Sequence, residues 1–438
     1  MPFSSYHMQL RRIKSGLRRS SSKRPCRRSS RYLNILICTI YILCVLNYRV
    51  VLLRFFSDIF FGTKPTFPEN ETCEQAMIGG LDVDKLENYT GPYMDEFPVD
   101  HGCEKFTGLY EHSILNTPEE KDFPLAYAIS AYESFDKLSR LLRLIYRPQN
   151  YYCVHVDRKS TSVLMESVRL LVNCFGANVL LVGDEDRIDV QWGHYSVLQS
   201  TIICAYLLQK NSSYQWKYLL NVNEKEFPLR TNWELVRIMK AIKGSNMVEV
   251  QRSIPYRHRF PKRKLSFPVQ WIKGSYLVAL RYDFVDYILN NPHASEILRA
   301  MRDERYELKF PDELFFSTLA YNPRLGAPGA CTRRRYERRS DPRSFFLVRY
   351  IHWGAAGCLS GVTVHNVCIM GVYNIPYLIT IPHLFVNKFR DNVQPAAYDC
   401  MEYWIEKKLW REKSTRSLDP NFNQSVYSKL YCSNYHLK

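Results

Sequence analysis

At 438 residues the chain is long enough for one large domain or two fused layers, and its formal net charge of +17 first suggests a nucleic-acid partner. Ten lysines and arginines, however, form one acid-free run from Arg11 to Arg31, and setting it aside leaves about +7 on the rest. That remainder fits an anionic small ligand or an acidic glycan surface, with part of it a solvated basic face, and excludes nucleic acid once the rest of the chain is placed in a lumen.

An apolar stretch of roughly 17 residues, Tyr32 to Tyr48, follows the basic run. Basic flanks stay cytosolic, so the pair predicts a single-pass type II anchor with everything after about Phe60 facing a lumen. A cleavable signal peptide is the competing reading, but its basic region would be unusually long and no small-residue cleavage site follows Asn47-Tyr48-Arg49. An amphipathic surface helix is disfavoured because Leu33 to Leu43 has no charged face. The short span suits the thinner membranes of the early secretory route.

A lumen permits disulfides, and ten of the thirteen cysteines, Cys73 to Cys432, lie beyond the anchor. None has a paired C-x-x-C spacing, so no metal site is expected. Asn70, Asn88, Asn211 and Asn423 each begin a glycosylation sequon that this topology would expose.

From about Pro65 to Lys121 the sequence mixes Pro, Gly, Asn and acids with little periodicity, which predicts a stem and an irregular lead-in held by Cys73 and Cys103. Alternation then sets in. Strands are predicted over Pro124 to Tyr132, Tyr151 to Asp157, Asn178 to Val182 and Lys217 to Val222. Helices are predicted between them over Phe135 to Tyr146, Thr161 to Cys174 and about His194 to Gln209, and afterwards over Thr231 to Ile242 with Thr231 or Asn232 as N-cap. Strands alternating with helices imply an α/β domain whose mainly parallel sheet is covered on both faces. Ligands of such sheets bind beyond the carboxyl ends of the strands, where Asp157, Asn221 and Asn223 fall. With neither G-x-G-x-x-G nor a P-loop, a Rossmann dinucleotide site and an NTPase are unsupported.

The second half, from Val248, is less regular. Tyr276 to Tyr282 and Phe284 to Asn290 read as a strand passing into a helix. Pro311-Asp312-Glu313 opens a helical segment, Leu314 to Leu319, with proline at the first helical position and two acids in the first turn. Those residues serve as helix-start chemistry, or they project Glu313 into a cleft as a general base.

Five segments together carry a family resemblance: Phe123 to Tyr127, Pro148 to Asp157, Gln215 to Asn221, Pro311-Asp312-Glu313, and His383 to Phe389. In this order and spacing they resemble the core 2 and I-branching β-1,6-N-acetylglucosaminyltransferases, the family that includes the protein xylosyltransferases. The similarity runs from about Phe123 to the region of Cys400, more loosely back to Cys73.

The resemblance implies a Golgi type II enzyme with a GT-A-like fold that uses UDP-GlcNAc without a divalent metal or other cofactor and inverts the anomeric centre. Together with the basic and apolar N-terminal segments it gives four expected segments: a cytosolic tail at 1–31, the anchor at 32–48, a stem and lead-in at 49–121, and a luminal catalytic domain at 122–438. Glu313 matches the family's catalytic base, Lys388 a diphosphate-binding cation, and Asp157 the strand-end acid near the uridine. Trp192 stands where branching enzymes have a tyrosine near the nucleotide, which keeps an aromatic face there. Glu249 matches an acceptor-binding glutamate, Arg257 replaces a lysine beside the acceptor, and Tyr350 stands near an acceptor-stacking tryptophan. The sequence departs from the pattern at His365, where vertebrate branching enzymes carry arginine, and imidazole has no fixed charge. Either the bound phosphate keeps His365 protonated, or the run Arg333 to Arg339 supplies charge from a loop, or His365 is packed in the fold and that run is a solvated loop. Two stretches, Arg259 to Gly274 and Tyr350 to Cys358, are shorter than in the vertebrate enzymes.

By resemblance Cys73 pairs with Cys400, Cys103 with Cys174, Cys153 with Cys204, and Cys358 with Cys368. Cys331 and Cys432 lack counterparts and could pair with each other, stay free, or link two chains as a homodimer. The expected reaction is GlcNAc transfer to the GalNAc of Galβ1-3GalNAc on O-glycoproteins. The rivals are I-type branching of poly-N-acetyllactosamine, a xylosyltransferase-like activity, for whose added C-terminal domain the sequence after Cys400 leaves no room, and a catalytically silent Golgi lectin or scaffold.

Overall fold

The computed structural model describes residues 67–81, 86, 89, 94–99, 102–104, 115–212, 215–251, 254–303, 308–333 and 340–438. The chain divides into Met1–Phe67 and Pro68–Lys438, and all described secondary structure lies in the second unit. The basic run, the expected anchor at 32–48, Asn88 and residues 334–339 of the arginine-rich run lie outside the described residues. Among the described residues no helix is long and apolar enough to cross a membrane.

The lead-in is more regular than its composition predicts. Helix α1 (Glu71–Ile78) is capped by Asn70, whose side-chain oxygen accepts from the Cys73 N–H at 3.1 Å, and ends at Gly79 with φ 76°. A one-turn helix α2 (Pro118–Lys121) follows, closed by the reciprocal capping box of Thr117 and Glu120. Propensity averaged over the segment hid both, because each is decided by a single cap.

From there strand and helix alternate: β1 (Leu125–Ala131), α3 (Phe135–Ile145), β2 (Tyr151–Val156), α4 (Ser162–Asn173), β3 (Val179–Leu181), α5 (Tyr195–Asn211) and β4 (Tyr218–Asn223). After β4 come β5 (Glu226–Pro228), α6 (Asn232–Ala241), β6 (Ala279–Arg281), α7 (Tyr282–Asn290), α8 (Pro292–Met301) and α9 (Asp312–Ala320). The chain closes through β7 (Arg349–Ile351), β8 (Thr363–Val364), β9 (Val367–Cys368), β10 (Phe385–Asn387) and α10 (Ala396–Thr415). Ser134, Thr161 and Thr231 cap α3, α4 and α6, each accepting from the backbone N–H three residues on. The proline before α9 sits at its N-cap rather than inside its first turn, entered from Phe310 at φ 56°, so the two acids are themselves the first helical residues.

The main sheet has the order β3-β2-β1-β4-β6, parallel except for β6, which runs antiparallel to β4. Alternate residues of β1 feed two cores. Leu125, Tyr127 and Ile129 pack with α3, α4 and α6 on one face, while Ala126 and Ala128 meet α5, α7, α8 and α9 on the other. Burial on both faces explains why the strands read as apolar runs, and each large buried side chain contributes about 1.5–3 kcal/mol. The second sheet, β5-β10-β7, is joined to the first by Arg349. Its guanidinium pairs with Glu226 at 2.9 Å, both side chains fully buried, and donates to the Asn221 carbonyl.

Five disulfides join Cys73 to Cys400, Cys103 to Cys174, Cys153 to Cys204, Cys331 to Cys432 and Cys358 to Cys368. The first pins α1 to α10. The fourth closes within the chain the pair that the sequence left open, so those two cysteines are not available to link two copies. Asn70, Asn211 and Asn423 are exposed.

Candidate active site

The carboxyl ends of β1, β2 and β4 lie along one edge of the sheet, and a cavity of about 390 Å³ opens there. Asp157 lines it just past β2, its carboxylate accepting from the Lys159 backbone N–H at 2.9 Å and from the Lys159 ammonium at 3.0 Å. It is therefore a turn former and a cavity residue at once.

Glu313, in the first turn of α9, lines the cavity and meets two cations: Arg259 Nη1 at 2.9 Å and Lys273 Nζ at 3.3 Å. Gly274 lets the segment carrying Glu249 and helix α9 pass close, since a Cβ there would stand 2.3 Å from the Glu249 carbonyl and 2.8 Å from Ser317 Cβ. The Gly274 N–H donates to the Glu313 carbonyl at 2.8 Å, fixing Lys273 beside the helix start. The adjacent Asp312 also lines the cavity, and burial followed by the nearby Glu313 charge pushes its carboxyl up to about 7.

Opposite, β10 ends at Asn387 and delivers Lys388 into the cavity. Burial, then Lys225 and Arg390, pushes the Lys388 ammonium down to about 8. His365 and Asn366 form the turn between β8 and β9, both at positive φ (51° and 60°), as a two-residue hairpin turn requires. The His365 imidazole stacks on Trp192, 4.7 Å between ring centres, and Trp192 meets the edge of Phe310 at 4.8 Å. Trp192 is 61% exposed, so one of its surfaces is open to a ligand.

Glu249, Arg257 and Tyr350 do not line this cavity. The Glu249 carboxylate accepts from Gln251 at 2.7 Å and is raised by burial, with Lys273 and Glu313 within electrostatic reach. Arg257 is exposed on the 3₁₀ turn Ile254–Arg259, and the residue of that turn that reaches Glu313 is Arg259. Tyr350 packs edge-on against Tyr377 and His383, whereas the exposed aromatic lining the cavity from this segment is Trp353. Alternation along β7 sends Tyr350 and Ile351 to opposite faces.

Sequence reading missed Lys225, Arg259, Lys273, Asp312 and Trp353. Asp312 alone had a local signal, its place beside Glu313; the others are brought in by distant segments. Among the described residues no three His, Cys, Asp or Glu side chains converge as a metal site.

A family model of the Core-2/I-branching enzymes matches residues 125–378, which hold most of this cavity. The chain is 30% identical over 377 residues to human β-1,3-galactosyl-O-glycosyl-glycoprotein β-1,6-N-acetylglucosaminyltransferase 3, covering 78% of this chain and 81% of the human protein. It is also 30% identical over 373 residues to the enzyme of the same name, without the number, from bovine herpesvirus 4, covering 78% and 80%. The crystal structure of mouse xyloside xylosyltransferase 1, apo form, aligns with 44% of this chain and 80% of that one at 12% identity and a TM-score of 0.25, too slight a likeness to say anything about the fold. On the family match and the extent of these alignments, the chain belongs to the Core-2/I-branching enzyme family.

Proposed function

We propose that the protein is an inverting glycosyltransferase with a GT-A-like donor site that moves GlcNAc from UDP-GlcNAc, in β-1,6 linkage, to the GalNAc of Galβ1-3GalNAc O-glycans without a metal ion. Its place is the Golgi membrane, held by the basic and apolar N-terminal segments. The observation that supports this best is Glu313 facing the same cavity as Lys388 and Trp192, at the carboxyl edge of a parallel sheet.

A primary alcohol is a weak nucleophile, and the departing UDP gathers negative charge. Glu313 takes the proton of the acceptor 6-hydroxyl as its oxygen bonds to C1 of the donor sugar. The C1–O bond to the β-phosphate breaks, and its electron pair leaves with UDP beside Lys388 and His365. Attack from the face opposite the leaving group inverts C1. Arg259 and Lys273 hold the Glu313 carboxylate in position before the acceptor enters. Asp157 and Trp192 orient the uridine, and Glu249, Trp353 and the turn carrying Arg257 bound the acceptor side.

The test is the purified full-length protein with UDP-GlcNAc, a panel of O-glycan acceptors and EDTA. The expected result is transfer that survives chelation and is lost in Glu313→Gln by about 10²–10⁴-fold, with UDP affinity kept within about twofold. Transfer that stops in EDTA refutes the metal-free reading, and sugar binding without UDP release identifies a silent lectin.

A further inference from the structure

Lys225 lies between β4 and β5 and lines the same cavity as Lys388. The two segments are zipped together: the Phe389 N–H donates to the Lys225 carbonyl at 2.8 Å, and Asn387 pairs with Glu226 in the sheet. The Lys225 side chain is 6% exposed, its ammonium lies 4.4 Å over the Tyr132 ring, and it forms an ion pair with Glu133. Glu133 sits at the rim with its side chain 52% exposed, and its other oxygen is 3.4 Å from Arg390 Nη2.

The charges here do not balance. Lys225, Lys388 and Arg390 face the single rim carboxylate Glu133. Glu224 is turned inward, its two oxygens taken by the Tyr132 and Glu133 backbone N–H groups at 2.8 and 2.9 Å. Asp391 is engaged by Lys137 at 2.9 Å. Surplus positive charge at this corner of the cavity attracts an anion, and the Lys388 ammonium there is depressed first by burial and then by Lys225 and Arg390.

We propose that Lys225 is a second cation for the donor diphosphate, exchanging Glu133 for a phosphate oxygen when the nucleotide binds while Arg390 retains Glu133. This rests on the donor reading above and extends it, supplying the fixed charge that His365 lacks. An ammonium already aligned by Tyr132 needs only to exchange a half-exposed carboxylate for the incoming phosphate oxygen, so it is never left without an anionic partner.

The experiment is calorimetric titration of the full-length protein and its variants with UDP and with uridine. Lys225→Met is expected to weaken UDP about tenfold, the scale of one charge-assisted hydrogen bond, and to leave uridine unchanged. Lys225→Arg should restore most of the loss. Glu133→Gln, at a half-exposed rim position, should tighten UDP by about two- to threefold by freeing Lys225. If Lys225 only clamps the rim, Glu133→Gln will weaken UDP as Lys225→Met does, or uridine will be lost equally, and either result overturns the assignment. A parent protein that binds no UDP overturns the donor reading and this one with it; UDP binding that is undiminished in Lys225→Met overturns this one alone.

Discussion

The Lys388 ammonium is held down to about 8 from an ordinary 10.5, chiefly by burial and then by Lys225 and Arg390. If Lys388 contacts the diphosphate as ammonium, UDP affinity follows the fraction of enzyme that carries that proton. The sign is fixed: binding is strongest below about 8 and weakens as pH rises through it. Between pH ~7.5 and ~9.5 the protonated fraction falls from about three quarters to about 3%, so affinity should drop about 25-fold, or about 1.9 kcal/mol. Of the other groups near this corner, Glu224 is pushed up to about 7, chiefly by burial, so most of its ionisation precedes the interval. Lys225 is raised by Tyr132 and Glu133 against its burial, and Tyr132 is raised by burial, so both keep their protons across the interval. Calorimetric titration of UDP at the two pH values measures the drop, with uridine as a control for the rest of the pocket. Lys388→Arg, whose guanidinium stays charged, should flatten the profile. A wild-type affinity constant to within about twofold, or the same fall in Lys388→Arg, would refute the placement of this ammonium on the diphosphate.

Arg349→Met should strand the buried Glu226 carboxylate at a cost of about 3–5 kcal/mol, which for a unit of this size lowers Tm by about 5 °C. Adding Glu226→Gln should recover part of that fall, and an unchanged Tm in the single variant contradicts the pairing. Trp353→Ala should raise the acceptor KM several-fold and leave UDP affinity alone, because only a sugar-stacking surface is removed; an unaltered acceptor KM would take Trp353 out of the acceptor side. His365→Arg should lower the donor KM by about three- to tenfold through an added fixed charge, and a donor KM that does not move would remove His365 from the phosphate site.

Much of the frame was legible because it is local. The caps of α3, α4 and α6 are serine or threonine at positions where neighbouring periodicity already ends, and the four strands of the parallel portion are apolar runs bounded by turn residues. Asp157 could be placed at a ligand edge from strand position alone. The lead-in helix α1 was missed because a single asparagine cap outweighs a poor average composition. Arg259 was not legible as the partner of Glu313, since a 3₁₀ turn points it and Arg257 in different directions and the sequence shows no periodicity there.

The sequence determined the alternation of strand and helix, the carboxyl-edge position of the cleft and Glu313 as a candidate base, with Lys388 named as a candidate cation through the family resemblance. Only the tertiary structure decided which charges share that cleft. Arg259 and Lys273 on Glu313, Lys225 beside Lys388, and Trp353 in the cavity lining all depend on crossover connections and strand register between distant segments. Helix caps and strand periods are set within a few neighbouring residues, whereas the convergence of charges is set by how the sheets pack, with Arg349 and Glu226 paired at their junction.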